Sequence, residues 1–512
     1  MTRLRHLPQR SLRLWPHGCR ALIVAGVLFG QTPGALATNG LSMPGLSLDQ
    51  TAMGGAGAAL ISSFATTLRD PAAGAFLRSG TELSLAVAWP RAHYRANAPS
   101  DDSRLSIFEF VPGTYRSVYR PAFAPVIAWH RRWNARWAWG MGLYGGGLGT
   151  TMPDGAARIA RGLPLIRSVC AGDFGGGSAL SGSAAVDQCG DGKTFSGVRA
   201  TQLFASAHLS YRAAPSLGIG IAPVLAAQQL EASGLAAFVP YSVMPTRLTD
   251  NGSAYAYGVG GRLGVQWRPN PAFGLSVAYQ SRIRQAGLDD YGGILPRGRF
   301  DIPAQWHVAA EWRLTARTAV YADVEGIQYE QVEALGRSSD LTAFVNRCLV
   351  PRLLGGPGSP TADARFCLGG ENSPGFGWSN NRIYKIGVRH RVGRWHWMAG
   401  YSSGGNPIET PQAILTTLAP AIVDRHVALG VTWDWIERLR IGAAVSYSPQ
   451  NRVTAVNGLS NVRLQLARDA QNDPTAPAGL VAVAVDEDPG DQRVENRFEI
   501  LQVQIGVSWR PR

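Results

Sequence analysis

Residues 501–509, LQVQIGVSW, set Leu501, Val503, Ile505, Val507 and Trp509 on one side of an extended chain and Gln502, Gln504, Gly506 and Ser508 on the other. The period is two, that of a strand with one apolar face. The pattern recurs in HVALGVTWDW (426–435), LRIGAAVSY (439–447) and FGLSVAYQ (273–280). A soluble sandwich also alternates, so the connections decide. Short polar turns stand at 131–136, 212–216, 268–272, 314–317, 392–394 and 436–439. Long irregular segments stand at 96–120, 151–199, 231–252, 287–301, 331–380, 403–423 and 450–497. Six short turns alternating with seven long loops imply fourteen strands, with both chain ends on the short-turn side. An even strand number with short turns at one end and long loops at the other is the pattern of an outer-membrane barrel. Each strand has about ten residues or slightly more, enough to cross a membrane at a tilt. The fold class predicted is all-β: a closed, antiparallel, fourteen-stranded transmembrane barrel over residues 81–512.

Tryptophan supports the placement. Trp129, Trp133, Trp137, Trp139, Trp267, Trp312, Trp395, Trp397, Trp433, Trp435 and Trp509 all fall at or beside the short-turn ends of these strands. An interfacial aromatic girdle would lie there.

The chain opens with an export signal. Arg3, Arg5, Arg10, Arg13 and Arg20 precede or flank the apolar run ALIVAGVLFG (21–30), and Ala35-Leu36-Ala37 offers a small-x-small cleavage site. Cleavage after Ala37 leaves a mature chain beginning at Thr38. No later stretch reaches the 18 or so apolar residues of a transmembrane helix, so an exported, membrane-bound chain must cross with strands.

The formal charge of +14 falls to +9 once the five signal arginines are removed. The remaining arginines are scattered among acids and form no basic run, so nucleic acid is not an expected partner. Anionic outer-membrane lipid, including lipopolysaccharide, and carboxylate ligands are compatible with this balance. The mature chain holds Cys170, Cys189, Cys348 and Cys367, each pair 19 positions apart in a Gly/Pro/Ser-rich loop. In an exported chain these read as two local disulfides, and four cysteines still allow three connectivities. A zinc site would want closer spacing, and no metal or other cofactor is expected. GDGKT (190–194) lacks the first glycine of a phosphate-binding loop, and GGAG at Gly54 lacks the rest of a dinucleotide fingerprint. The isolated histidines suggest no catalytic cluster, and no enzyme activity is expected.

Residues 38–80 precede the first strand and are rich in glycine, alanine and other small residues. A barrel of this size has an interior to fill, and small residues permit close backbone approach. This segment is therefore expected to be a plug inside the lumen, with Pro71 stiffening one bend and holding Asp70 extended. Facing inward by alternation, Arg262, Arg282, Arg284, Lys385 and Arg389 are candidate partners for a ligand carboxylate or for lumenal acids such as Asp323 and Glu325.

MGGAGAALISSFATTLRDPAAGAFL (53–77) resembles the N-terminal hatch of FadL-type outer-membrane transporters, whose hatch ends near an Asn-Pro-Ala motif; here the triplet is Asp70-Pro71-Ala72. The resemblance continues through HRRWNARWAWGMGLYGGG (130–147), FDIPAQWHVAAEW (300–312), PGFGWSNNRIYKIGV (374–388) and NPIETPQAILTTLAPAIVDRHVALGVTW (406–433). It differs at the C-terminus, where Trp509 is followed by Arg510-Pro511-Arg512. The resemblance implies passive uptake of hydrophobic small molecules, long-chain fatty acids or aromatic hydrocarbons, by outer-loop capture, hatch gating and lateral release through the wall. LAAFVPYSVM (235–244) and ILTTLAPAI (414–422) are candidates for the outer capture groove. A monomeric barrel is expected. A general diffusion porin is the alternative, followed by a barrel enzyme or adhesin.

Overall fold

The computed structural model describes residues 40–97, 110, 112–118, 121–150, 197–354, 361–408, 412–459, 463–467, 479–483 and 492–511. The expected signal segment and cleavage site, and the expected Cys170–Cys189 bond, lie outside the described residues.

Fourteen strands form the wall. In chain order they are β1 (Gly80–Ala96), β2 (Ala122–Arg132), β3 (Trp137–Gly149), β4 (Gly197–Ala214) and β5 (Leu217–Ser233). There follow β6 (Ala254–Asn270), β7 (Phe273–Gln280), β8 (Gln305–Arg313), β9 (Thr318–Ile327) and β10 (Asn381–Val392). The last four are β11 (Trp395–Gly404), β12 (Arg425–Ile436), β13 (Leu439–Val456) and β14 (Arg493–Trp509). Each pairs antiparallel with its neighbours in sequence, and β14 closes on β1 from Thr81↔Trp509 to Ala96↔Val494. A short strand, Gly113–Arg116, adds to the upper end of β1. No helix among the described residues is long and apolar enough to cross a membrane.

The six short connections fall where the polar turns predict them. Local chemistry makes them tight: Asn134 Oδ1 accepts from the N–H of Arg136 and Trp137 at 2.8 Å, and Asn270 Oδ1 accepts from Ala272 and Phe273 at 2.9 Å. Such side-chain acceptors stand in for backbone turn bonds. On the outer surface Leu263, Leu429, Ile505 and Trp509 are half exposed or more, while Gln266, Gln502 and Gln504 on the same strands are buried inside. The girdle is present: Trp395 stacks on Trp433 at 5.3 Å and Trp433 on Trp435 at 6.1 Å, while Trp133, Trp312 and Trp397 are exposed.

Two features depart from the sequence pattern. β13 continues to Val456, beyond the expected strand end near 450, because the polarity of the faces inverts towards the outer end. There Phe498, Val494 and Ala455 point inward, and Glu499, Arg497 and Arg452 point outward. Arg284 is exposed, not inward-facing as its parity with Gln280 predicts; the buried positions are Ile283 and Gln285. The chain leaves the β7 ladder after Gln280, and the slip of one position turns Arg284 over.

The long loops pack into an outer apolar cluster that includes Phe238, Val239, Tyr241, Leu248, Tyr291, Phe344 and Leu349. Cys348 and Cys367 are disulfide-bonded within it. Leu368 exchanges backbone bonds with Tyr241 and Val243 at 3.0 Å, tying two loops together.

Candidate functional site

The helical turns in residues 40–79 are short, and two of them, Leu48–Ala52 and Pro71–Ala75, are capped by side chains of the segment itself. Ser47 caps Leu48–Ala52: its hydroxyl accepts from Gln50 N at 3.0 Å, and Gln50 Oε1 accepts from Ser47 N at 3.3 Å. This is a reciprocal capping box. Asp70 caps the 3-10 turn Pro71–Ala75, its carboxylate accepting from Ala72 N at 2.8 Å, with proline at the first turn position, which needs no N–H. Asp70 itself is extended (φ −125°, ψ 101°), as a residue before proline must be.

The segment lies against inward-facing side chains around the wall. Glu82 on β1 accepts from Ser63 Oγ at 2.6 Å, Phe64 N at 2.8 Å and Ala65 N at 3.2 Å. Asp323 on β9 accepts from Gly57 N at 3.0 Å and Ala58 N at 2.9 Å. Ser276 on β7 donates to Asp70 at 2.7 Å, Ser210 on β4 to Pro71 O at 2.7 Å, and Thr51 donates to Gln504 on β14 at 2.5 Å. Arg69 pairs with Glu325, which also pairs with Lys385 at 2.5 Å; both cations donate to Pro44 O. Buried carboxylates are held here because backbone amides and cations satisfy them.

Wall glycines make room for this backbone. A Cβ at Gly264 would stand 2.1 Å from Asp70 Oδ1, and one at Gly220 would stand 2.3 Å from the Pro71 carbonyl carbon. On the opposite side, Cβ atoms at Gly400 and Gly430 would meet Met53 C at 2.1 Å and Ala52 Cβ at 2.4 Å. The two surfaces fit because one of them lacks side chains.

Asp70 belongs to no strand, and burial pushes its carboxyl up to about 6, against hydrogen bonds from Ser276, Ala72 N and Gln266 that favour the ionised form.

Beyond the segment lies a small, partly open internal space of about 50 Å³. Leu41, Met43 and Leu46 from the segment, with Tyr144, Phe204, Ile302 and Tyr329, give it apolar surface; Arg69, Gln202, Arg262, Gln280, His307 and Glu325 give it polar points. It reaches Gly145 and Gly146 of β3, where the wall is unbonded. The β2–β3 ladder runs from Arg132↔Ala138 to Val126↔Tyr144 and stops. Past that point Ala122–Pro125 pair only with β1, and Gly145–Gly149 only with β4. Pro125 has no N–H to donate, and a glycine run offers no side chains to pack across the seam.

Of the cations expected to face a ligand, Arg262 lines this space, donating to Tyr144 Oη at 2.6 Å and bonding Gln280 and Leu68 O. Lys385 and Arg389 hold the segment, Arg389 through Ser62 Oγ at 2.8 Å. Arg282 is paired with Asp301 at 2.5 Å, and Arg284 points away. In the stretches 235–244 and 414–422, Leu235, Phe238, Val239, Tyr241, Ile414, Leu418 and Ile422 are packed into the outer cluster. The β2–β3 seam had a sequence signal, Pro125 opposite Gly145-Gly146-Gly147. Among the described residues no group of three or more His, Cys, Asp or Glu is placed to hold a metal.

No family model and no curated protein sequence matches the chain. Solved structures do. A FadL homologue of Pseudomonas aeruginosa superposes with a TM-score of 0.57 at 15% identity, covering 92% of this chain and 99% of its own. The toluene transporter TodX of Pseudomonas putida gives 0.55 at 16% identity, covering 93% and 100%. The toluene transporter TbuX of Ralstonia pickettii gives 0.50 at 16% identity, covering 92% and 100%. The fold of this chain is that of FadL-type barrels.

Proposed function

We propose, proceeding from a FadL-type barrel fold, that this chain is an outer-membrane transporter for small hydrophobic molecules, with long-chain fatty acids or monoaromatic hydrocarbons as substrates. Residues 38–80 plug the lumen and gate it, and substrate leaves sideways through the β2–β3 seam. The observation that carries this reading is an internal space of mixed apolar and polar lining directly beside an unbonded stretch of wall. An apolar solute gains nothing from a water-filled pore, whereas a lined cavity with a lateral exit keeps it from water throughout. The toluene transporters of the same fold support the substrate class. Arg262 is the proposed partner of a carboxylate, should the substrate be a fatty acid. The protein performs no chemistry on its cargo and acts as a monomer in the outer membrane.

The test is uptake of labelled toluene and of a labelled long-chain fatty acid by cells whose own outer-membrane carriers are deleted. Expression should confer saturable uptake of at least one. Uptake no faster than in empty-vector cells overturns the reading. Liposome swelling with small sugars separates it from a general diffusion porin, which would be freely permeable.

A further inference from the structure

We infer that the outer end of β1, β13 and β14 carries a binding site for the phosphate groups of outer-leaflet lipopolysaccharide. The inference rests on the outer-membrane placement proposed above. On these strands the outward face changes character abruptly. Leu83, Leu85 and Val87 on β1, and Leu501, Val503 and Ile505 on β14, form the apolar belt. Beyond Trp89 and Leu501 the same face presents Arg91, His93 and Arg95 on β1, Arg497 on β14 and Arg452 on β13. The inward residues between them, Ala92, Tyr94 and Phe498, are buried, so these cations point away from the lumen.

Register aligns them. His93 is opposite Arg116 of the short strand on one side and opposite Arg497 on the other, and Arg497 is opposite Arg452. Arg116, His93, Arg497 and Arg452 thus form one row across four adjacent strands. Three inter-strand steps make it about 14 Å long. Arg91 and Arg95 flank it above and below. Two acids share the patch, Glu499 paired with Arg91 at 3.2 Å and Glu495 paired with Arg497 at 2.5 Å. Arg95, Arg116 and Arg452 make no ion pair among the described residues. Among the described residues of the patch five arginines stand against two glutamates, Arg95 lying opposite Glu495, an excess of cations that like-charge neighbours would disfavour without an anion. Elsewhere at the outer end Arg199 pairs with Glu231 and Arg425 with Asp424, while Arg382 is exposed without an ion pair among the described residues but stands opposite Gly326 rather than in a row of arginines.

Height identifies the ligand. Arg497 lies four residues past Leu501, about 14 Å along the strand and less along the membrane normal once tilt is counted. That is the headgroup level of the outer leaflet, where the anionic groups are the phosphates of lipopolysaccharide. Arginine suits them through forked donation to phosphate oxygens.

The experiment compares the full-length protein with the triple variant Arg95→Ser, Arg116→Ser, Arg452→Ser, which breaks none of the described ion pairs. Both are purified in detergent, stripped of lipid, and titrated with rough lipopolysaccharide and with its enzymatically dephosphorylated form. The intact protein should bind the phosphorylated form at least tenfold more tightly, and the variant should lose that preference. A control pair, Arg382→Ser and Arg425→Ser, should keep it. Equal binding by intact protein and triple variant overturns the inference, as does indifference of the intact protein to dephosphorylation. Heat-modifiable migration of the variant establishes that the barrel is folded. Outer-membrane fractionation tests the placement separately: a protein absent from that fraction would fail the placement, not the phosphate preference.

Discussion

The carboxylate of Asp323, on the barrel wall, accepts the backbone N–H of Gly57 at 3.0 Å from both oxygens, with Ala58 N beside it at 2.9 Å. Two consecutive amides of the N-terminal segment thus end on one buried wall residue. Asp323→Ala would leave both N–H groups without an acceptor, at a cost of about 1–3 kcal/mol for each buried donor. A loss of 2 kcal/mol shifts the seated-to-unseated ratio about thirtyfold. We predict faster sugar entry in liposome swelling, with heat-modifiable migration unchanged. Unaltered swelling would mean the contact does not hold the segment.

The glycine slots give a sharper test. Gly264→Val places branched carbon where Asp70 Oδ1 now stands, while its outer neighbours Leu263 and Val265 keep the lipid face. The barrel should assemble, and the N-terminal segment should become open to added protease. Gly261→Val, on the same strand with nothing within 4 Å of its Cβ, should not have this effect.

Asp70 confers a pH dependence. Its carboxyl, normally near 3.8, is raised to about 6 by burial in the seated state, so the seated state binds the proton more tightly than the unseated one. The contribution to seating is fully present below about 3.8 and is lost as pH rises through about 6. Proteolytic cutting of residues 40–79 in detergent-solubilised protein should therefore quicken between pH 5 and pH 7.5. Asp70→Asn, which keeps the side-chain carbonyl acceptor but cannot ionise, should flatten the profile. An identical profile in Asp70→Asn would assign the dependence to a group other than Asp70.

The seam between β2 and β3 can be locked. A Cβ at Gly145 stands 3.5 Å from Ala124 Cβ, within the span of a disulfide. Oxidised Ala124→Cys/Gly145→Cys should lose uptake of hydrophobic substrate, and a reductant should restore it. Full uptake in the cross-linked protein would remove the seam from the route.

Non-reducing peptide mapping should recover Cys348 joined to Cys367, and Cys170 joined to Cys189. Each bond closes a loop of about twenty residues, worth roughly 3 kcal/mol on the chain-entropy model. Serine at 348 and 367 should loosen the outer cluster around Phe344 and Leu349 to protease while leaving barrel migration intact. Free thiols, or pairing between the two loops, would contradict the assignment.

Most of the wall was legible because a lipid-facing strand must alternate and its tight turns must be polar. Leu501 to Trp509 displays the period directly, and Asn134 and Asn270 mark turns. Legibility ended where the surroundings changed. Above the belt the outward residues are no longer apolar, so the strand through Arg452 to Val456 reads as loop. Arg284 was misplaced because parity carries no information across a break in the ladder. The seat was hidden for another reason. Gly220, Gly264, Gly400 and Gly430 look like weak strand positions until the backbone that fills them is known. The roles of Lys385 and Arg389 likewise depend on Pro44 and Ser62, more than 300 residues away in sequence.

The pairing of Thr81 with Trp509 joins the two ends of the wall, and this ties closure of the ring to its first and last strands. The cylinder cannot shut until its last strand has arrived, so the edge of β1 stays open while the other strands are laid down. Residues 40–79, attached directly to that edge, can settle against the growing inner surface without being drawn through a finished ring. A circular permutant that moved this segment to the far side of β14 would keep the same closed wall. It would lose the head start, and its failures should appear as intact but empty cylinders.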